Sequence, residues 1–164
     1  MRAERPAQAS EEVKKADDLV RGPSGLLTTP SRSRLMRAVR TRDTKAEVLL
    51  RQEIWKRGYR FLKNVKGLPG RPDVLFRRAQ VAVFVDGDFW HGRDWLVLRE
   101  RITRNRDFWV AKIERTIERD RENRDALIDL GYRVVRVWER DVLRDPKTVA
   151  DDVLRVVDSA FRTS

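Results

Sequence analysis

"DVLFRRAQVAVFVDGDFWHG", residues 73–92, is the stretch from which the fold can be read. Two apolar runs, 74–76 and 81–85, flank a short break around Arg78-Ala79. Runs rich in Val and Phe on either side of such a break read as a β-hairpin. The second run is nearly all apolar, as expected of a strand covered on both faces. In a hairpin the start of one strand lies beside the end of its partner. Asp73 and Asp86 should therefore meet at one sheet edge, within reach of one divalent cation. Two ordinary loop carboxylates would leave the same pattern. Gly87 then permits a sharp turn, and Asp88, Phe89, Trp90 and His91 leave the strand together.

Upstream, "TKAEVLLRQEIWKRG" (44–58) reads as an amphipathic helix closed by Gly58, with Thr44 as N-cap and Glu47 completing a capping box. "YRFLKNV" (59–65) alternates like a half-buried strand, and "LPGRP" (68–72) is a turn. Downstream, a long helix is expected from about Arg106 to Leu130, with Val110, Ile113, Ile117, Leu127 and Leu130 near one face and Gly131 ending it. "YRVVRVWE" (132–139) is a further strand, and "PKTVADDVLRVVDSAF" (146–161) a closing helix. The order is α-β-β-β-α-β-α. A strand that returns after a helix usually lies parallel to its neighbour, which predicts an α/β fold with a mixed central sheet flanked by helices.

The chain has 164 residues, a formal charge of +11 and no cysteine. That length suits a single domain. Residues 1–30 hold five basic and five acidic side chains and no sustained periodicity, and read as a mobile tail before a single domain spanning 31–164. The whole positive excess therefore lies beyond the tail, which favours a polyanionic partner, nucleic acid ahead of a membrane surface. From Arg32 to Lys45 there are six basic residues against one acid, Asp43, which suits a phosphate-contacting arm or a solvated charged face. Disulfides and thiolate metal sites are excluded, so any metal must be held by oxygen or by the single histidine. No apolar run reaches the ~20 residues of a bilayer span, and the N-terminus lacks a secretory apolar core, so a cytoplasmic protein is expected.

Phe89 and Trp90 are large apolar groups where the chain should be leaving the core. They suit wedging between base steps or stacking on bases, or else packing under the loop. His91 suits a general base near neutral pH, or a plain packing position.

Five segments, "MRAVRTRDTKAE" (36–47), "LPGRPDVLF" (68–76), "VFVDGDFWHG" (83–92), "NRDFWVAKI" (105–113) and "ERDRENRDALIDLGYRVVRVWE" (118–139), together resemble the very-short-patch repair endonucleases in order and spacing. The resemblance implies a restriction-endonuclease-like fold and a Mg²⁺-dependent endonuclease that nicks one strand of double-stranded DNA near a T:G-like mismatch, acting as a monomer. By position, it makes Asp73 the principal Mg²⁺ ligand, the Val85 carbonyl a second, Glu47 the helix acid that holds water near the metal, and His91 the catalytic histidine. Phe89, Trp90 and Trp109 match aromatics that enter the duplex, Met36 and Val39 apolar residues of an arm reaching the opposite groove, and Lys112 a base-contacting lysine. Asp86 stands where well-studied members have a histidine near the scissile phosphate, and would add a metal ligand to the site. Those members also carry a structural zinc whose ligand positions here read Asp88, Arg93, Trp95 and Arg140, so the zinc is expected to be absent. Asp88 is expected to pair with Arg140 or Arg93, with Trp95 filling the remaining volume. Two other readings stand beside this one: a nuclease of the same fold acting on another DNA structure, and a catalytically silent DNA-binding module.

Overall fold

The computed structural model describes residues 42–162, together with Val20, Arg21, Leu27, Thr28 and Pro30. Within the first unit, Val20–Arg21 (β1) pairs antiparallel with Leu27–Thr28 (β2). The second unit starts at Arg42.

Its first helix, α1 (Lys45–Lys56), starts where the sequence predicts. Thr44 Oγ1 accepts from the Glu47 N–H, and the Glu47 carboxylate reaches back to the Asp43 N–H at 2.9 Å. The box thus closes one residue further upstream than the usual N-cap N–H. A four-stranded sheet follows in the order β3-β4-β5-β6: Leu62–Lys63, Val74–Phe76, Val81–Asp86 and Arg133–Trp138. β4 and β5 form the expected hairpin, with Val74 opposite Val83 and Phe76 opposite Val81. β6 lies parallel to β5, setting Phe84 beside Arg136 and Asp86 beside Trp138.

Alternation along the strands divides the core into two layers. Val74, Phe76, Val81 and Val83 pack against Leu50 and Ile54 of α1 and Val153 and Val157 of the closing helix, α5 (Pro146–Arg162). Leu75 and Ala82 face the other way, with Phe84 and Val134, and meet Leu127 of the long helix α3 (Arg106–Asp129). Asp145 starts α5 by accepting from the Thr148 N–H at 3.1 Å, with Pro146 in the first turn, where a missing N–H costs nothing.

The sheet and its flanking helices match the expected α/β architecture, with three local differences. The strand read over 59–65 contracts to two exposed edge residues, because Asn64 turns left-handed (φ 49°) and ends the extension. Leu130 is not on the buried face of α3 but 54 % exposed, because the chain reverses there: Gly131 N–H bonds to Ile128 O and Tyr132 N–H to Leu127 O. Two short helices, α2 (Trp95–Arg101) and α4 (Glu139–Arg144), were not expected. In α2 the apolar residues are consecutive rather than spaced by a turn, and none is buried, so no amphipathic pattern announces it.

Candidate active site

The hairpin delivers Asp73 and Asp86 to the same end of the sheet. Asp73 directly precedes β4, and its N–H bonds to the Val83 carbonyl at 3.0 Å. Its Oδ2 accepts from the Val85 N–H at 2.8 Å. Backbone groups alternate sides along a strand, so the Val85 carbonyl also faces the Asp73 side. Burial, together with the nearby Glu47 and Asp86 carboxylates, pushes the Asp73 carboxyl up to about 6, despite the Val85 hydrogen bond and the Arg51 charge. Asp73 and Asp86 thus lie near one another, as the hairpin argument requires, and Glu47 of α1 joins their neighbourhood.

They are not equally free. Glu47 is buried at 3 % exposure, and its Oε2 accepts from Asp43 N–H and, at 3.2 Å, from Arg51. Arg51 also pairs with Asp43. Asp86, likewise 3 % exposed, is gripped on both oxygens by Arg136: Nε to Oδ2 at 2.5 Å and Nη2 to Oδ1 at 2.9 Å. Among the described residues no group of three His, Cys, Asp or Glu side chains forms a ready-made metal cage.

His91 sits one turn past the strand, its N–H bonded to the Gly87 carbonyl. Its Nδ1 lies 2.5 Å from Asp120 Oδ2 on α3 and 3.6 Å from Asp86 Oδ1. Asp120 is partly buried, which alone would raise its pKa, but the His91 hydrogen bond and the Arg136 charge hold it below the ordinary carboxylate value. An ionised carboxylate only accepts, so the proton of the neutral ring lies on Nδ1, which leaves Nε2 as the acceptor. The turn is tightly packed at Gly92 (φ +67°), where a Cβ would stand 2.6 Å from Ile117 Cδ1.

The same turn presents the aromatics. Phe89 and Trp90 are 38 and 39 % exposed and meet Trp109 of α3, with ring centroids 5.2–5.9 Å apart. Phe108 extends the cluster, edge-on to Trp109 at 5.1 Å. The Lys112 ammonium stands 5.3 Å from the rings of both Trp90 and Trp109. The rings do pack on one another, yet neither Phe89 nor Trp90 is buried. Met36 and Val39 lie outside the described residues.

At the positions expected to lack the zinc, Asp88 pairs with Arg93 at 3.1 Å and approaches Arg140 Nε at 3.6 Å. It also accepts from the Arg140 N–H at 3.3 Å, joining the turn to α4. Arg93 in addition bonds Asp141 at 2.9 Å. Trp95 does not fill the remaining space; it lines an open cleft of about 700 Å³ together with Arg93, Leu98 and Arg140.

Arg136, Asp120 and Phe108 were not singled out in the sequence. Arg136 left one trace, a charge in the middle of an apolar strand, which requires a buried partner. Asp120 left none, since it stands among many charges on an exposed-looking helix.

The model of the family described as DNA mismatch endonuclease Vsr matches residues 24–97. A type II nicking enzyme of Haemophilus parainfluenzae, V.HpaIIP, is 38 % identical over 132 residues, covering 80 % of this chain and 94 % of that protein. The chain belongs to the Vsr endonuclease family. A second nicking enzyme, V.NmeDIP of Neisseria meningitidis serogroup C, is 41 % identical across 80 % of this chain and 88 % of its own length. The DNA mismatch endonuclease Vsr of Escherichia coli K12 is 37 % identical across 76 % of this chain and 78 % of its own. The Vsr-family membership accords with the restriction-endonuclease-like architecture of the sheet and helices.

Proposed function

We propose that this chain is a Mg²⁺-dependent DNA endonuclease that nicks one strand of a duplex at or near a mismatched base pair. One observation carries the reading: a single turn, residues 87–91, sets His91 against Asp120 on one side and Phe89 and Trp90 beside Trp109 and Lys112 on the other. A hydrolytic group and a base-wedging surface are thereby locked together.

Hydrolysis of a phosphodiester needs a positioned water, neutralisation of the phosphate and stabilisation of the leaving oxygen. Mg²⁺, when bound, supplies the last two. The residues fit it: Mg²⁺ takes hard oxygen donors, keeps several waters, and is commonly held by one or two carboxylates plus the substrate phosphate. Asp73 and the Val85 carbonyl would hold it, and a carboxyl pushed up to about 6 by burial and neighbouring acids gains from a cation beside it. Asp86, the second carboxylate expected to hold the metal, has both oxygens bonded to Arg136, so its charge is paired and it would not be a free donor. Glu47 keeps water ordered next to Asp73. His91 takes a proton on Nε2 while Asp120 stabilises the resulting imidazolium. Phe89, Trp90 and Trp109 enter the duplex where a mismatch has lowered the unstacking cost, and Lys112 follows them to the base edges. Met36 and Val39 serve the arm that reaches the opposite groove.

Incubation with matched and T:G-mismatched duplexes, with and without Mg²⁺, followed by denaturing gels, tests this. One nicked strand on the mismatched duplex, only with Mg²⁺, is expected. Binding without any cleavage would refute the nuclease and leave a DNA-binding module.

A further inference from the structure

His91 faces two carboxylates, and its Nδ1 carries one proton. Asp120 Oδ2 lies 2.5 Å away and Asp86 Oδ1 3.6 Å away, and the two acids come from different elements. With both free, the ring could turn to either. The guanidinium of Arg136 stands between them. It occupies both oxygens of Asp86, and its Nη2 also lies 3.0 Å from Asp120 Oδ2. Its Nη1 donates to the Asp120 backbone carbonyl at 3.4 Å. Burial works against the charge on Arg136, but Asp86 and Asp120 together raise its pKa above the ordinary arginine value. It sits 5.4 Å over the Phe84 ring, which limits its swing.

We infer that Arg136 is a positioning residue of this site: by occupying Asp86 and bracing Asp120, it decides which carboxylate orients His91. The inference rests on the nuclease reading for its effect on rate, but not for its geometry. A planar fork makes the arrangement possible, because it bonds one carboxylate bidentately and still reaches a second. A lysine ammonium supplies the charge without the fork. β5, β6, α3 and the catalytic turn are all tied at this one side chain.

The chain has a single histidine, so its imidazole ¹⁵N resonances need no assignment. In protein free of metal and DNA, at a pH where the ring is neutral, the wild type should show one tautomer with the proton on Nδ1. In Arg136→Gln the Nδ1-bound proton, shifted far downfield by its short bond to Asp120, should move upfield as the ring divides that bond between the two acids, while the tautomer stays the same. kcat for nicking should fall about 10- to 100-fold, the range for lost support of a catalytic group, with KM changed less than about threefold. Arg136→Lys should fold, as it keeps the charge, yet its ring spectrum should also depart from the wild type. It carries the test if Arg136→Gln does not fold. A wild-type ring spectrum in the folded variants would overturn the inference, even if kcat fell. If the wild type nicks neither duplex, the nuclease reading fails, while the ring spectra still decide the role of Arg136.

Discussion

Replacing Asp73 with Asn should make the metal-free protein more stable, and the gain should depend on pH in a defined way. In the folded chain the carboxyl ionises near 6 instead of near 3.8, chiefly because it is buried and secondly because Glu47 and Asp86 stand nearby. Below about pH 4 it is protonated in both the folded and the unfolded chain and carries no penalty. Between about 4 and 6 the unfolded chain has released its proton while the folded chain still holds it, so stability falls as pH rises. Above about 6 the penalty is constant. At about 1.4 kcal/mol per pH unit it amounts to about 3 kcal/mol. An asparagine has nearly the same shape and can keep an acceptor toward the Val85 N–H, so the variant escapes the penalty without opening a cavity. Urea unfolding in EDTA, followed by tryptophan fluorescence, reads this directly. The Asp73→Asn midpoint should exceed the wild-type midpoint by on the order of 1–2 M at pH 8, and the two should coincide near pH 4. Saturating Mg²⁺ should raise the wild-type midpoint but not that of the variant. A variant no more stable at pH 8 than the wild type would refute the buried, mutually repelling carboxylates from which the metal site is argued.

Changing Phe89 and Trp90 together to Ala should weaken binding to mismatched duplex more than to matched duplex, measured by fluorescence anisotropy; equal losses would indicate rings that only pack on Trp109. Nicking rates at saturating Mg²⁺ should rise with pH as Asp73 loses its proton, since only the carboxylate binds a cation; a rate that falls across that range would count against Asp73 as ligand. Affinity for plain duplex should fall by ~0.9 log units per log unit of salt for each phosphate neutralised, and a salt-independent affinity would deny the basic surface its role. Gly92→Ala should cost on the order of 1–3 kcal/mol in urea unfolding, because the new Cβ meets Ile117 in a left-handed backbone; an unchanged midpoint would show that the turn relaxes freely.

Much of the fold was legible because it rests on local pattern. The apolar runs on either side of Arg78-Ala79 became β4 and β5 in the expected hairpin. Thr44 and Glu47 capped α1, and Gly131 closed α3, because caps are chemistry between residues a few positions apart. The hairpin alone was enough to bring Asp73 and Asp86 to one edge. Tertiary structure decided what those acids do there. Arg136 is fifty residues from Asp86, and Asp120 twenty-nine from His91, so no spacing rule could join them. Only the parallel docking of β6 on β5, with α3 laid across, sets the guanidinium between the two carboxylates. The same holds for Leu130, apolar and on the right helical phase yet exposed, because the chain reverses at that residue. A sequence specifies which groups are present and how neighbouring ones lie. Which carboxylate is free and which is neutralised depends on long-range packing, since the energy of a buried charge is set by whatever else the fold has brought within a few ångströms.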